Sequence, residues 1–244
     1  MSAAVLAELR KFCTTRSLWA VPAAGLAVAV SGVVLFLTVA PPEDIAGRLS
    51  DQGPLRFGAT NFGLLLVIFG VRLFGDETHH GTMASTFVRT PDRYRVLTAK
   101  ATVGAVTAVV FCAAVYLVAV PVLIIGTRAR GLPLDVDVAA TGALFGRVVV
   151  AMALATLLGT VVGAAIRNRA AALVVALAWF ALAEDLLGAL LHIERFLPGA
   201  AVTGLVTNDV GPHALSAPQA ALVLAATVAG AAVVATGLLR RDVT

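Results

Sequence analysis

Long apolar stretches separated by short polar ones dominate this chain. Charge-free runs extend from Ser17 to Pro42, Ala101 to Thr127, Val148 to Ile166 and Val210 to Leu239. A helix needs about 20 apolar residues to cross a hydrocarbon core, so each run predicts one crossing, and the last has room for a loop as well. Two weaker runs follow the same pattern. Phe57 to Phe74 is broken only by Arg72, and Ala170 to Leu191 carries Glu184 and Asp185 in its outer part. The ten-residue alternation of a transmembrane strand is missing, so the elements are helices. The expectation is an all-α membrane protein with six spans at about 18–40, 57–74, 101–125, 145–166, 170–191 and 219–239. The connections are too short for an independent soluble domain, which predicts a single transmembrane domain over 1–244.

Composition points the same way. Of the 244 residues, 59% are hydrophobic and only 13% charged, about half the charge of a water-soluble chain. The mean hydropathy is +0.95. Such a surface faces lipid.

Orientation follows from the basic residues. With six spans, 12 of the 18 Lys and Arg fall on the side of the N-terminus, while 9 of the 14 acids fall on the other. Cytoplasmic loops hold the basic excess. Both termini are therefore expected in the cytoplasm, in a multi-pass protein of the cell's inner (plasma) membrane. The basic balance suits anionic lipid, and nucleic-acid binding is not expected. The apolar run at the N-terminus is longer than a signal h-region and ends at Pro41-Pro42, so it reads as an uncleaved span. Cys13 falls at the inner surface and Cys112 in mid-span, too far apart to pair.

Ahead of the first span, Val5, Leu6, Leu9, Phe12 and Cys13 recur at helical spacing opposite Glu8, Arg10, Lys11 and Thr15. This predicts an interfacial helix on the inner leaflet, with Trp19 at headgroup depth and its indole N–H wet. An ordinary basic flank is the alternative.

The inner loop from Gly75 to Lys100 is the most informative stretch. Gly81 breaks the helix leaving span two, Thr82 caps a short helix from Met83 to Val88, and Thr90-Pro91-Asp92 starts the next helix. Met83 and Phe87 share one face of the short helix, flanked by Arg89 and Arg93. Such a crossbar can dock in a soluble partner or rest on headgroups.

Few residues suggest chemistry of another kind. His79 and His80 lie inside while His192 and His213 lie outside, so no metal site is expected. Glu184 and Asp185 either face a dimer interface or substrate route, with Arg147 as a candidate partner, or open short outer helices around Leu186 to Phe196. Gly159-x-x-x-Gly163 marks close helix packing or a chance spacing. Phe57, Asn61 and Phe62 are candidates to line a substrate route.

Three stretches resemble the permeases of the ABC type 2 exporter family: Lys11-Phe-Cys-Thr-Thr-Arg-Ser-Leu-Trp19, Glu77-x-x-x-Gly81-Thr82 through Arg93-x-x-Val-Leu-x-Ala-Lys100, and Arg195-Phe-Leu-Pro-Gly199. The resemblance runs from Glu8 to Thr244. It implies six spans, an N-terminal elbow helix, a cytoplasmic coupling helix between spans two and three, and short outer helices between spans five and six. It further implies that Glu77, Gly81, Thr82, Met83, Phe87, Arg89, Pro91 and Arg93 couple the chain to a separate ABC ATPase. His79-His80 and Asp92-Arg93-Tyr94 depart from the more basic pattern of many relatives.

The chain has no Gly-x-x-x-x-Gly-Lys-Ser/Thr phosphate loop, so ATP and Mg are expected on that partner and no cofactor on this chain. The resemblance implies two ATPase copies and a second permease copy, more readily the same chain than a different one. The chain itself is then no enzyme, and its cargo a hydrophobic or amphipathic drug, peptide or lipid. An ion-coupled secondary exporter using Glu184 or Asp185 as proton carrier, and a non-transporting anchor for a cytosolic partner, are the alternatives.

Overall fold

The computed structural model describes residues 2–41, 53–79, 81, 92–131, 137–166, 168–207 and 215–241. All regular structure among them is helical. The helices are α1 (Ser2–Thr14), α2 (Arg16–Val39), α3 (Gly53–His79), α4 (Arg93–Ala129), α5 (Val138–Ala165), α6 (Arg169–Ala178), α7 (Glu184–Leu191), α8 (Pro198–Thr207) and α9 (Ala217–Arg241). A π-helical turn, Trp179–Ala183, joins α6 to α7, and a 3₁₀ turn, Glu194–Phe196, precedes α8.

Among the described residues four helices are long and apolar enough to cross a membrane: Leu18–Val39, Tyr94–Ala129, Val138–Ala165 and Ala217–Gly237. Their outward residues are large and apolar. Leu35, Leu117, Ile125 and Val233 are 61%, 76%, 68% and 72% exposed, an outside that lipid covers and water does not. The other two expected spans are of different character. The region of the second lies in α3, which also carries Arg56, Arg72, Asp76 and Glu77 and is enclosed by α2, α5, α4 and α6. Leu66, Phe69 and Val71 on it are completely buried, so much of its surroundings is protein. The region of the fifth is the α6–α7 rod with its π-helical turn.

α3 and α5 run parallel and form the centre. They approach so closely that a Cβ on Gly70 would strike the Thr156 carbonyl, and one on Gly159 the Val67 carbonyl. Gly163 meets Val71 in the same way. Gly159-x-x-x-Gly163 is therefore a packing device, and Gly70 is its counterpart from α3. Buried hydroxyls between the helices satisfy themselves: Thr156 donates to the Met152 carbonyl and Thr160 to the Thr156 carbonyl, both at 2.8 Å.

Three local expectations change. α4 has Asp92 as its N-cap, whose carboxylate accepts from the Tyr94 and Arg95 amides at 3.0 and 3.3 Å. The Thr90-Pro91-Asp92 pattern alone predicts the cap at Thr90, with Asp92 as a first-turn acid. An aspartate reaching two free amides is the stronger cap. Second, the Trp19 indole N–H donates to the Phe12 carbonyl at 3.2 Å, with the two rings stacked at 4.8 Å, so it pins α1 to α2. Third, α1 buries Phe12 and partly buries Val5 and Leu9, but leaves Leu6 and Cys13 exposed.

Candidate functional site

Gly81 sits at φ +67°, in the left-handed region, and its amide bonds the Thr78 carbonyl just past the end of α3. The expected helix break at Gly81 is there. Thr82, Met83, Phe87, Arg89 and Pro91 lie outside the described residues, as do the side chains of Phe57, Asn61, Phe62, Arg93 and Asp185. What the structure places is the frame on either side of 82–91.

That frame is ionic. Lys100, eight residues into α4, is only 2% exposed. Its ammonium bonds the Glu77 carboxylate of α3 at 2.7 Å and the Glu8 carboxylate of α1 at 2.8 Å. Lys11, one turn on from Glu8, reaches the same two acids at 2.8 and 3.1 Å. The Phe74 ring lies 5.6 Å from the Lys100 nitrogen. Two ammoniums and two carboxylates thus alternate and tie three helices together. An isolated buried ammonium would cost several kcal/mol, so the acids are what permit Lys100 at this depth.

A second group lies next to the first along α3. Arg72 bonds Asp76 within α3 at 3.0 Å, and Arg169, at the start of α6, reaches Asp76 at 3.1 Å. Together the two groups join α1, the C-terminal part of α3 and the N-terminal parts of α4 and α6.

Glu77 lies beyond the apolar part of α3. Desolvation works to raise its carboxyl, but the Lys100 charge and hydrogen bond, with Lys11 beside them, outweigh it and hold the group below the ordinary carboxylate range. Desolvation also opposes the Lys11 ammonium, and its bonds to Glu77 and Glu8 more than offset this and push it upward. Because Glu77 is depressed in the folded state, its contribution is present above its unfolded value of about 4.3 and is lost as pH falls through the folded value. Lys11, being raised, contributes below about 10.4 and stops contributing as pH rises through its folded value. Acid is therefore expected to undock α1. In a Trp179→Phe background, Trp19 emission should stay constant from neutral pH down to the carboxylate range and red-shift below it. Glu77→Gln should show the shifted spectrum already at neutral pH. An unchanged spectrum in Glu77→Gln would count against the clamp.

At the other end of the rod, Glu184 is buried. Its carboxylate accepts from the Trp179 indole and the Gly199 amide, both at 2.8 Å. The π-helical turn brings Trp179 and Glu184, five residues apart, to one side. A side chain at Gly199 would strike the Glu184 carboxylate, so glycine is required there. Glu184 fastens α6–α7 to the start of α8, and among the described residues no ion pair joins it to Arg147, the partner considered from sequence.

Sequence reasoning singled out Glu77 and Lys100 but missed Glu8 and Lys11 as their partners. A lysine at the mouth of a charge-free run was the available signal, since it demands an acid from elsewhere. No protein-family model matches the chain, and a comparison with curated proteins finds no match.

Proposed function

We propose that the chain is the membrane subunit of an ATP-driven exporter of the ABC type 2 class. In this reading the four long apolar helices, α3 and the α6–α7 rod make six crossings, α1 is an elbow helix on the cytoplasmic leaflet, and 82–91 holds a coupling helix around Met83 to Val88. Two such chains pair, and two separate ATPase subunits bind ATP and Mg beneath them. Both termini face the cytoplasm of the inner membrane.

One observation carries the reading: Glu77 and Lys100 bond each other at 2.7 Å on the two helices that bracket 82–91, and α1 is clamped to the same pair. A segment between independently mobile helices would yield when pushed. Here a push from below is delivered to α1, α3 and α4 together, and the glycine-packed α3–α5 seam passes it on to the centre of the bundle. The apolar interior, with hydroxyls bonded to their own helices, suits a hydrophobic or amphipathic cargo.

Proteoliposomes holding this chain and its ATPase test the proposal. Cargo should stimulate ATP hydrolysis, and Phe87→Asp should reduce that stimulation by at least about tenfold by burying a charge in the docking pocket. Flux driven by a pH gradient without ATPase would instead make the chain a secondary exporter, and ATPase binding without flux would make it an anchor.

A further inference from the structure

α7 lies between two unusual backbone points. At the π-helical turn before it, the Glu184 amide bonds the Trp179 carbonyl, five residues back instead of four. At its end, His192 stands at φ +55°, in the left-handed region that side chains disfavour. Leu186, Leu190 and Leu191 of α7 are exposed, so little packing opposes its rotation about its own axis. Backbone points of this kind persist where the surrounding structure holds them, and they collect in segments that switch.

The element held here is α8. Its ten residues span about 15 Å, half of a hydrocarbon core. It buries Ala201, Val202, Leu205 and Val206, and a Cβ on Gly63 of α3 would lie 3.5 Å from Val202. Each end is fastened by a polar side chain from another element. The Gly199 amide donates to Glu184 Oε1 at 2.8 Å, and the Thr207 carbonyl accepts from Arg56 of α3 at 2.6 Å.

The first fastening depends on the π-helical turn. The Trp179 indole donates to the same Oε1 that holds Gly199. On an unbroken α-helix, at about 100° per residue, side chains five places apart point about 140° away from each other. The extra residue of the π turn removes most of that angle. Were the turn to relax to α-helical bonding, α7 would rotate by about 100°, taken up at His192, and the carboxylate would leave both donors. Turn and bond therefore close and open as one unit.

We infer that Trp179, Glu184 and the π-helical turn form a latch on α8. Closed, as in the structure, it seats α8 against α3 and α5. Open, it frees the N-terminal end of α8, which swings about its Arg56–Thr207 end. The inference goes beyond the exporter reading and is independent of any ATPase.

Hydrogen–deuterium exchange of the full chain in detergent, read by mass spectrometry on peptides spanning 179–184 and 198–203, tests it. Glu184→Ala should speed exchange at least about tenfold in both peptides, while Glu184→Gln, which keeps an acceptor oxygen in place, should change it by less than about threefold. Deleting Ala183 takes out the extra residue and puts the glutamate four places from Trp179, with everything beyond it in its present register. That latch cannot open by relaxing, so exchange at 198–203 should fall below that of the unsubstituted chain. A rise in Glu184→Ala confined to 198–203, or no rise at all, would reduce Glu184 to a static tie and overturn the latch. Exchange in the Ala183 deletion equal to that of the unsubstituted chain would do the same. Should either variant fail to fold, Trp179→Phe, which loses the indole donor alone, must speed both peptides together, and a rise in one or neither overturns the latch.

Discussion

Lys100→Met is expected to destabilise the folded bundle by about 3–5 kcal/mol, the cost of removing one member of a buried ionic group. Lys100 holds the Glu77 and Glu8 carboxylates at 2.7 and 2.8 Å, and among the described residues the cation left between them without it is Lys11, itself half in solvent. For a chain of this size that corresponds to a fall of about 10 °C in unfolding temperature in detergent. The double substitution Lys100→Met with Glu77→Gln removes one charge of each sign and should recover part of the loss. Equal, additive losses in the two single variants would mean that the residues act separately and that no clamp exists.

Gly70→Val should be at least as damaging, for a different reason. Its Cβ would meet the Thr156 carbonyl and, at 2.7 Å, the Thr160 amide, both backbone atoms that no rotamer change can move aside. α3 and α5 would have to separate along their shared length, which costs about 3 kcal/mol by overpacking alone. Gly159→Val should do the same from the opposite helix against the Val67 carbonyl. Gly142→Ala, in α5 but with open space around the site, is the control and should stay within about 0.5 kcal/mol. Thermal unfolding of the three variants in one detergent separates these outcomes. Similar values for Gly70→Val and Gly142→Ala would remove the seam from the mechanism.

The membrane character and the positions of the long helices were legible in the sequence because lipid imposes a one-dimensional rule: about 20 apolar residues without a charge. α2, α5 and α9 follow it closely. α3 does not, because it lies inside the bundle, where Arg72 and Asp76 pair with each other and Asp76 also with Arg169. Gly159-x-x-x-Gly163 was visible as a spacing, yet its meaning came from Gly70, a residue nearly ninety positions away that no local pattern selects. The ionic clamp was half legible. Glu77 and Lys100 stood out at the ends of apolar runs, whereas Glu8 and Lys11 look like any i, i+3 pair on an exposed helix until α1 folds back onto α3 and α4. Asp92 was seen as an acid at a helix start, and its identity as the cap needed the Tyr94 and Arg95 amides in place.

The central proposition is that 82–91 is a cytosolic crossbar against which a nucleotide-hydrolysing partner pushes. Cysteine accessibility at Met83 measures this directly, using Met83→Cys in a chain carrying Cys13→Ser and Cys112→Ser. A membrane-impermeant maleimide should label the residue in inverted vesicles but not in intact cells, and addition of the ATPase subunit should protect it. Labelling from outside intact cells, or labelling in inverted vesicles that the ATPase leaves unchanged, would contradict the proposed function.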